Sequence, residues 1–266
     1  MPVKITSLGF RTDLMVRRLA GSIIEERNDH LIVRTPHIPN FYWGNFVLLG
    51  RPLRAGDAGW IRETCQHSFP RAQHLAVGVD GMDANPGDAA EVGALGLEVS
   101  TSAVMMGNAF SLSNGVATPG VRQLATDTDW AQLACLREAW QGPAADDGEA
   151  KFRAQRLVEA RELAQFGGGA WFGSFDGDTL AGALGIVSDR AGIARYQDVE
   201  THPEHRRRGH ARRLLQAAAG HARDHLATKQ VIIVADPAYH AIELYRSLGF
   251  TELERQVQLQ GRTAPM

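Results

Sequence analysis

The stretch Val199–Leu215, VETHPEHRRRGHARRLL, constrains this chain more than any other. It reads as a strand entering a short loop of arginines with one glycine, followed by an amphipathic helix. The first amides of a helix have no intrahelical acceptors, and with the macrodipole they form a ready site for phosphate. Gly209 lets the backbone approach an anion closely, and Ala211 is small enough for a ligand to lie over the first turn. A pyrophosphate-binding loop follows from these residues, and it would fit many nucleotide-like ligands.

The elements around the loop set the fold class. Val121–Ala125 reads as a strand, with Asp127 or Thr128 capping the helix that carries Trp130, Leu133, Leu136 and Trp140. A second helical run, Asp146–Gln165, is stopped by three glycines. Strands are expected at Ala170–Phe175, Leu180–Val187 and Ala194–Glu200, a helix at Gly209–Leu226, and a buried strand at Val231–Ala235. Ala238–Leu248 is a helix stopped by Gly249, and Thr251–Gln260 alternates like a closing strand. This order predicts an α/β fold, a mixed sheet with helices packed on it.

The first half predicts a helix at Thr12–Ala20, a hairpin of Ile23–Glu26 and His30–Thr35, and a strand at Asn45–Leu49. Asp57–His67 then reads as a helix, His74–Val79 as a strand, Ala89–Leu95 as a helix and Glu98–Met106 as a strand. Leu95-Gly96-Leu97 and Leu248-Gly249-Phe250 both close a helix and open a strand, which hints at a divergent internal duplication. The Ser/Gly/Pro-rich segment Ser111–Gly120 reads as a linker. The expected domains are therefore residues 1–110 and 121–266, joined by 111–120.

Val199-x-Thr201-x-Pro203-x-x-Arg206-x-x-Gly209-x-Ala211, with Leu214-Leu215 after it, resembles the coenzyme A signature of the GNAT N-acetyltransferase superfamily. Ala241-Ile242-x-Leu244-Tyr245-x-x-x-Gly249-Phe250 is similar to that family's downstream helix. The resemblance covers about half of the chain and implies a GNAT acyl-CoA N-acyltransferase fold for the second domain. The first becomes a smaller, degenerate GNAT-like lobe: Val92 stands where Tyr245 would, and Arg51 and Gly56 lack the motif's spacing.

The resemblance also implies roles. Backbone at Val199 and Thr201 would pair with the pantetheine arm of acetyl-CoA. The loop Arg206, Arg207, Arg208, Gly209, His210, Ala211 and Arg212 would hold the pyrophosphate, and Tyr245 would protonate the departing thiolate. Ala238 departs from the family's asparagine. For the general base the candidates are Asp198 and Glu200, expected on one side of a regular strand, where carboxylates are also commonly solvated or ion-paired. Tyr245 shares a helical stripe with Ala241, Ile242 and Leu248, so a core role stands beside the catalytic one.

The expected activity is transfer of an acetyl group to a primary amine of a small molecule or peptide; the alternative is a non-catalytic acyl-CoA-binding module. The formal net charge of -2 argues against nucleic acid and anionic membranes. The first residues lack a secretory core and no apolar run spans a bilayer, so a cytoplasmic protein is expected, with a homodimer as one allowed assembly. His221 and His225 are spaced for a metal, but no further ligand completes a site, and no metal is expected. Cys135 is expected to be a small buried thiol. The cluster FYWGNF at Phe41–Phe46 reads as interdomain core or as a substrate groove.

Overall fold

A computed structural model describes residues 3–113 and 118–262. In chain order the elements begin with α1 (Leu8–Leu19), β1 (Ile23–Glu26), β2 (His30–Arg34), β3 (Phe46–Leu49), α2 (Asp57–Ser68), β4 (His74–Val79), α3 (Ala89–Leu95), β5 (Glu98–Asn108) and α4 (Ala109–Ser113). They continue with β6 (Val121–Gln123), α5 (Asp127–Gln141), α6 (Asp147–Gln165), β7 (Gly169–Asp176), β8 (Thr179–Val187) and β9 (Ile193–Thr201). The last are α7 (His210–His225), β10 (Gln230–Ala235), α8 (Ala241–Ser247) and β11 (Thr251–Arg262).

The chain divides into two compact units that are not consecutive halves. One comprises the described residues of Met1–Met105, Val234–Tyr239 and Glu252–Met266; the other comprises those of Met106–Ile233 and His240–Thr251. The tail expected to close the second domain is a strand, but it lies in the first unit, as β11 paired antiparallel with β4 from Val257↔Val79 to Arg262↔His74. The strand order there is β1-β2-β3-β4-β11-β5.

Alternation along the strands explains why helices cover both faces of this sheet. On one face Leu31, Val33, Phe46, Leu48 and Ala76 pack against Phe10 and Leu14 of α1. On the other, Ile32, Val47, Leu49, Leu75 and Val77 pack with Ile61 and Cys65 of α2 and with Val257 and Leu259 of β11. The aromatic cluster belongs to this unit: Tyr42 stacks on His74 at 3.9 Å, and Trp43 Nε1 donates to Gln260 Oε1 at 2.9 Å.

In the second unit the order is β10-β9-β8-β7-β6, with β9 and β10 parallel and the rest antiparallel. Trp171 of β7 meets Trp130 of α5, while its neighbour Phe172 meets His221 of α7. Successive strand residues point to opposite faces, so α5 and α7 cover opposite faces of the sheet. Helix α5 begins one residue earlier than expected, with Thr126 as N-cap in a reciprocal capping box with Asp129.

Other local expectations shift for identifiable reasons. Helix α1 starts at Leu8 because Asp80 accepts from the amides of Thr6 and Ser7 just before it. Helix α8 starts at Ala241, because Asp236 Oδ1 takes the Ala238 amide into a turn first. The linker segment begins as α4, whose Ser113 Oγ accepts from Arg223; residues 114–117 lie outside the described residues. Cys135 is exposed, since it falls off the buried stripe Trp130, Leu133, Leu136 of α5. No helix among the described residues is long and apolar enough to cross a membrane.

Because β11 supplies a strand from the far end of the chain, residues 1–120 alone should not fold. Val257 and Leu259 are buried at 2% and 0% exposure. Each buried side chain of this size contributes about 1.5–3 kcal/mol, and a domain's whole margin is about 5–15 kcal/mol. The isolated fragment is expected to give a collapsed amide NMR spectrum, with dispersion restored by a peptide spanning 251–262.

Candidate active site

The site is built where β9 and β10 part. Their ladder runs only from Gln230↔Ile193 to Ile232↔Arg195, while β9 continues to Thr201. On its other edge β9 stays paired with β8 as far as Gly182↔Thr201, and the His202 amide donates to Ala181 O. The edge of β9 from Tyr196 to Thr201, which includes Val199, therefore extends beyond its β10 ladder. Such an edge can accept an extended amide-bearing chain by strand addition.

The chain then makes one 3₁₀ turn, Pro203–His205, and enters α7 through Arg206–Gly209. Gly209 is the N-cap at φ 81°, a left-handed conformation that lacks a Cβ penalty only in glycine, and no side chain caps the helix. Arg206, Arg207 and Arg208 are exposed, and Arg207 is itself left-handed at φ 59°. Arg212 Nη2 donates to Ser247 Oγ of α8 at 2.7 Å, which ties α7 to the Tyr245 helix. His210 is buried: its Nδ1 lies 2.9 Å from Ser174 Oγ and 3.1 Å from Arg213 Nη2. Burial, followed by the Arg213 charge, lowers its pKa, which favours a neutral ring. The small face of Ala211 is half-buried beside it.

Asp198 and Glu200 do not lie on a regular strand. Between Gln197↔Gly185 and Glu200↔Ala183, two residues of β9 oppose one of β8, and Asp198 adopts φ 46°. This is a β-bulge. Its extra residue reverses the phase of the strand. Tyr196 sits on the α7 face, donating its hydroxyl to Leu215 O at 2.7 Å, whereas Glu200, four residues on, reaches the α5 face.

There Arg137 of α5, unsignalled by any motif, takes both carboxylates. Its Nη2 donates to Asp198 Oδ2 at 2.8 Å and its Nε to Glu200 Oε2 at 3.1 Å. The Arg137 and Glu200 side chains are only 12% and 11% exposed. Burial pushes the Glu200 carboxyl up to about 7; Arg137 opposes the rise and the Asp198 charge adds to it. Arg137 also walls a cavity of about 290 Å³ between α5 and α6, with Ala134, Ala150, Ala154 and Leu157.

Tyr245 is 5% exposed on α8, its ring edge-on to Phe250 at 6.1 Å. Its ring is thus part of the core. His221 Nδ1 lies 3.1 Å from Gln123 Nε2, and no group of three or more metal-ligating residues occurs among the described residues.

The first unit repeats the plan with the site closed. Strands β3 and β4 are parallel around α2, and their ladder holds to the last residues, Leu49↔Val79. Gly56 caps α2 at φ 89°, as Gly209 caps α7. Here the amides of Gly56 and Ala58 donate to Glu91 at 2.9 and 2.7 Å, and the Arg54 amide donates to Asp57 at 2.7 Å. Arg51 sits on Asp57 and holds its carboxyl well below the usual range. Carboxylates of the chain itself accept from the amides at this helix start.

Residues 130–250 match the model of the Acetyltransferase (GNAT) family. Among solved structures, the chain resembles a functionally unknown conserved protein from Staphylococcus epidermidis ATCC 12228. The two share 13% identity at a TM-score of 0.73, over 90% of this chain and 93% of that one. A GCN5-related N-acetyltransferase from Kribbella flavida aligns at 16% identity and a TM-score of 0.66, over 97% and 98%. A tandem GNAT protein from the clavulanic acid biosynthesis pathway aligns at 15% and 0.57, over 100% and 99%. No curated protein matches the chain by sequence. The fold is that of a tandem GNAT protein.

Removing the internal anion of the first unit tests its structural role. Glu91→Ala leaves two helix-terminal amides without their acceptor, at a cost on the order of 1 kcal/mol. Chemical denaturation should show the unfolding free energy falling by that amount, with the midpoint moving down and the slope unchanged.

Proposed function

We propose, from the GNAT domain at residues 130–250, that the chain is an acetyl-CoA-dependent N-acetyltransferase acting on a primary amine of a small molecule or peptide, with its reaction site in the second unit. The observation that carries this reading is the α7 N-terminus: a left-handed glycine, no side-chain cap, and exposed arginines beside a strand edge that outruns its partner. The residues present fit the cosubstrate. Amides from Arg207 to Arg212 would receive the pyrophosphate, supplemented by arginine side chains. The backbone of Val199 and Thr201 would pair with the amides of the pantetheine arm.

In the proposed reaction the amine nitrogen attacks the thioester carbonyl carbon, forming the N–C bond as the carbonyl becomes an oxyanion. Backbone amides stabilise that charge. Glu200 takes the proton lost by the amine, directly or through one water. Collapse of the intermediate breaks the C–S bond, and the Tyr245 hydroxyl gives its proton to the leaving sulfur. A phenol stays protonated near neutral pH and suits that step.

Calorimetric titration with acetyl-CoA tests the site. Wild-type protein should bind, and Gly209→Glu, which places a carboxylate where the pyrophosphate belongs, should lose at least about a hundredfold in affinity. Absence of wild-type binding would overturn the assignment. Tyr245→Phe separates an enzyme from a binding module: kcat should fall about ten- to a hundredfold with Kd for acetyl-CoA unchanged. An unchanged kcat would remove Tyr245 from the mechanism. Since Glu200 must be ionised to accept the proton, and its carboxyl is pushed up to about 7, kcat/KM should rise with pH through about 7 and level off above it. Glu200→Gln should abolish that limb.

A further inference from the structure

The bulge in β9 brings two carboxylates of one strand onto one guanidinium from α5. Arg137 does not pair with either carboxylate in a two-pronged fork. It splits its donors instead, using Nη2 for Asp198 Oδ2 and Nε for Glu200 Oε2, and leaves Glu200 Oε1 outside its grip. We propose that Arg137 is the positioning residue of this site, fixing both the orientation and the protonation state of the Glu200 carboxylate so that it can receive the proton of the acceptor amine. The inference rests on the reading of Glu200 as the base.

Charge counting supports it. Two carboxylates share one guanidinium, and the Arg137 and Glu200 side chains are poorly solvated. A group so placed neither stays fully charged nor stays fully neutral near physiological pH. Arg156 of α6, itself paired with the buried Glu159, also acts on Glu200, and β9 itself carries the buried Arg195. The flanking strands add none, since Thr179–Val187 and Gln230–Ala235 contain no ionisable side chain. Arg137 and Asp198 act on Glu200 in opposite senses. Asp198 is held in place by a backbone conformation that few side chains adopt.

Any arginine in contact with Glu200 moves its titration, so a positioning role is read from the rate limb and plateau kcat moving with it. Carbon-13 NMR of labelled glutamate side chains, with the Glu200 signal assigned through Glu200→Gln, reads that titration directly. In Arg137→Gln the uncompensated carboxylates should raise it by about one unit or more. In Asp198→Asn loss of the like charge should lower it. Arg137→Lys restores charge without the planar guanidinium. It should return the titration toward the wild-type value while plateau kcat stays reduced. It also carries the test if Arg137→Gln fails to fold.

The acid limb of kcat/KM should move with the NMR titration, giving about a tenfold loss in Arg137→Gln at pH 6 per unit shifted. A Glu200 titration unmoved in the arginine variants, or moved in the same direction by Arg137→Gln and Asp198→Asn, overturns the proposal. If the NMR titrations shift in opposite directions but the rate limb stays fixed, the Arg137 clamp stands and the reading of Glu200 as base falls.

Discussion

The site depends on a ladder that stops early. Strands β9 and β10 pair over three residues and then separate, although β9 runs on for six more. A parallel pair that continued to the end would satisfy the backbone of Tyr196–Thr201 and leave nothing for a ligand to pair with. Its early end creates a polar strand edge beside the start of α7, where amides and macrodipole already favour an anion. Under the proposed function, a long ligand with an anionic part and an amide-bearing arm would meet both features in one stretch of chain.

The first unit shows what the same architecture becomes when that ladder does not stop. β3 and β4 stay paired to their ends, and the left-handed glycine survives at Gly56. The amides at the α2 N-terminus remain, and a helix end near other protein needs an acceptor. Glu91 supplies it from α3, and Asp57 occupies the first helical position in place of His210. The helix-terminus physics is unchanged between the units. Only the source of the negative charge differs: internal carboxylates in one, an open approach in the other.

Much of this was legible from the sequence because it is local. The α7 stripe, the glycine at its start and the alternating buried strands of the first unit all announce themselves within a window of a few residues. Gly56 was visible too, but motif spacing hid its equivalence to Gly209, since Leu53 stands where Arg206 would and the nearest preceding arginines, Arg51 and Arg54, are out of step. What escaped the reading is non-local. Nothing near Val257 says that it will pair with Val79, and nothing near Arg137 says that Asp198, 61 positions on, will be its partner. The Thr126 cap was missed by one residue because Asp127, Thr128 and Asp129 all carry capping chemistry, and only the Asp129 return bond selects among them.

The bulge is the subtlest of the non-local features, and it decides which face each carboxylate reaches. A period-two reading of β9 puts Tyr196, Asp198 and Glu200 on one face, where the carboxylates would crowd the helix that receives the Tyr196 hydroxyl. Placing two anions there would set them against the apolar stripe of Leu214, Leu215 and Ala218, where an unpaired charge costs several kcal/mol. One extra residue, with Asp198 at φ 46°, reverses the phase and delivers both to Arg137 instead. The strain of about 1–2 kcal/mol for a left-handed residue is smaller than the penalty it avoids. The strand therefore keeps a tyrosine anchor on one face and a titratable carboxylate pair on the other, within five residues of chain.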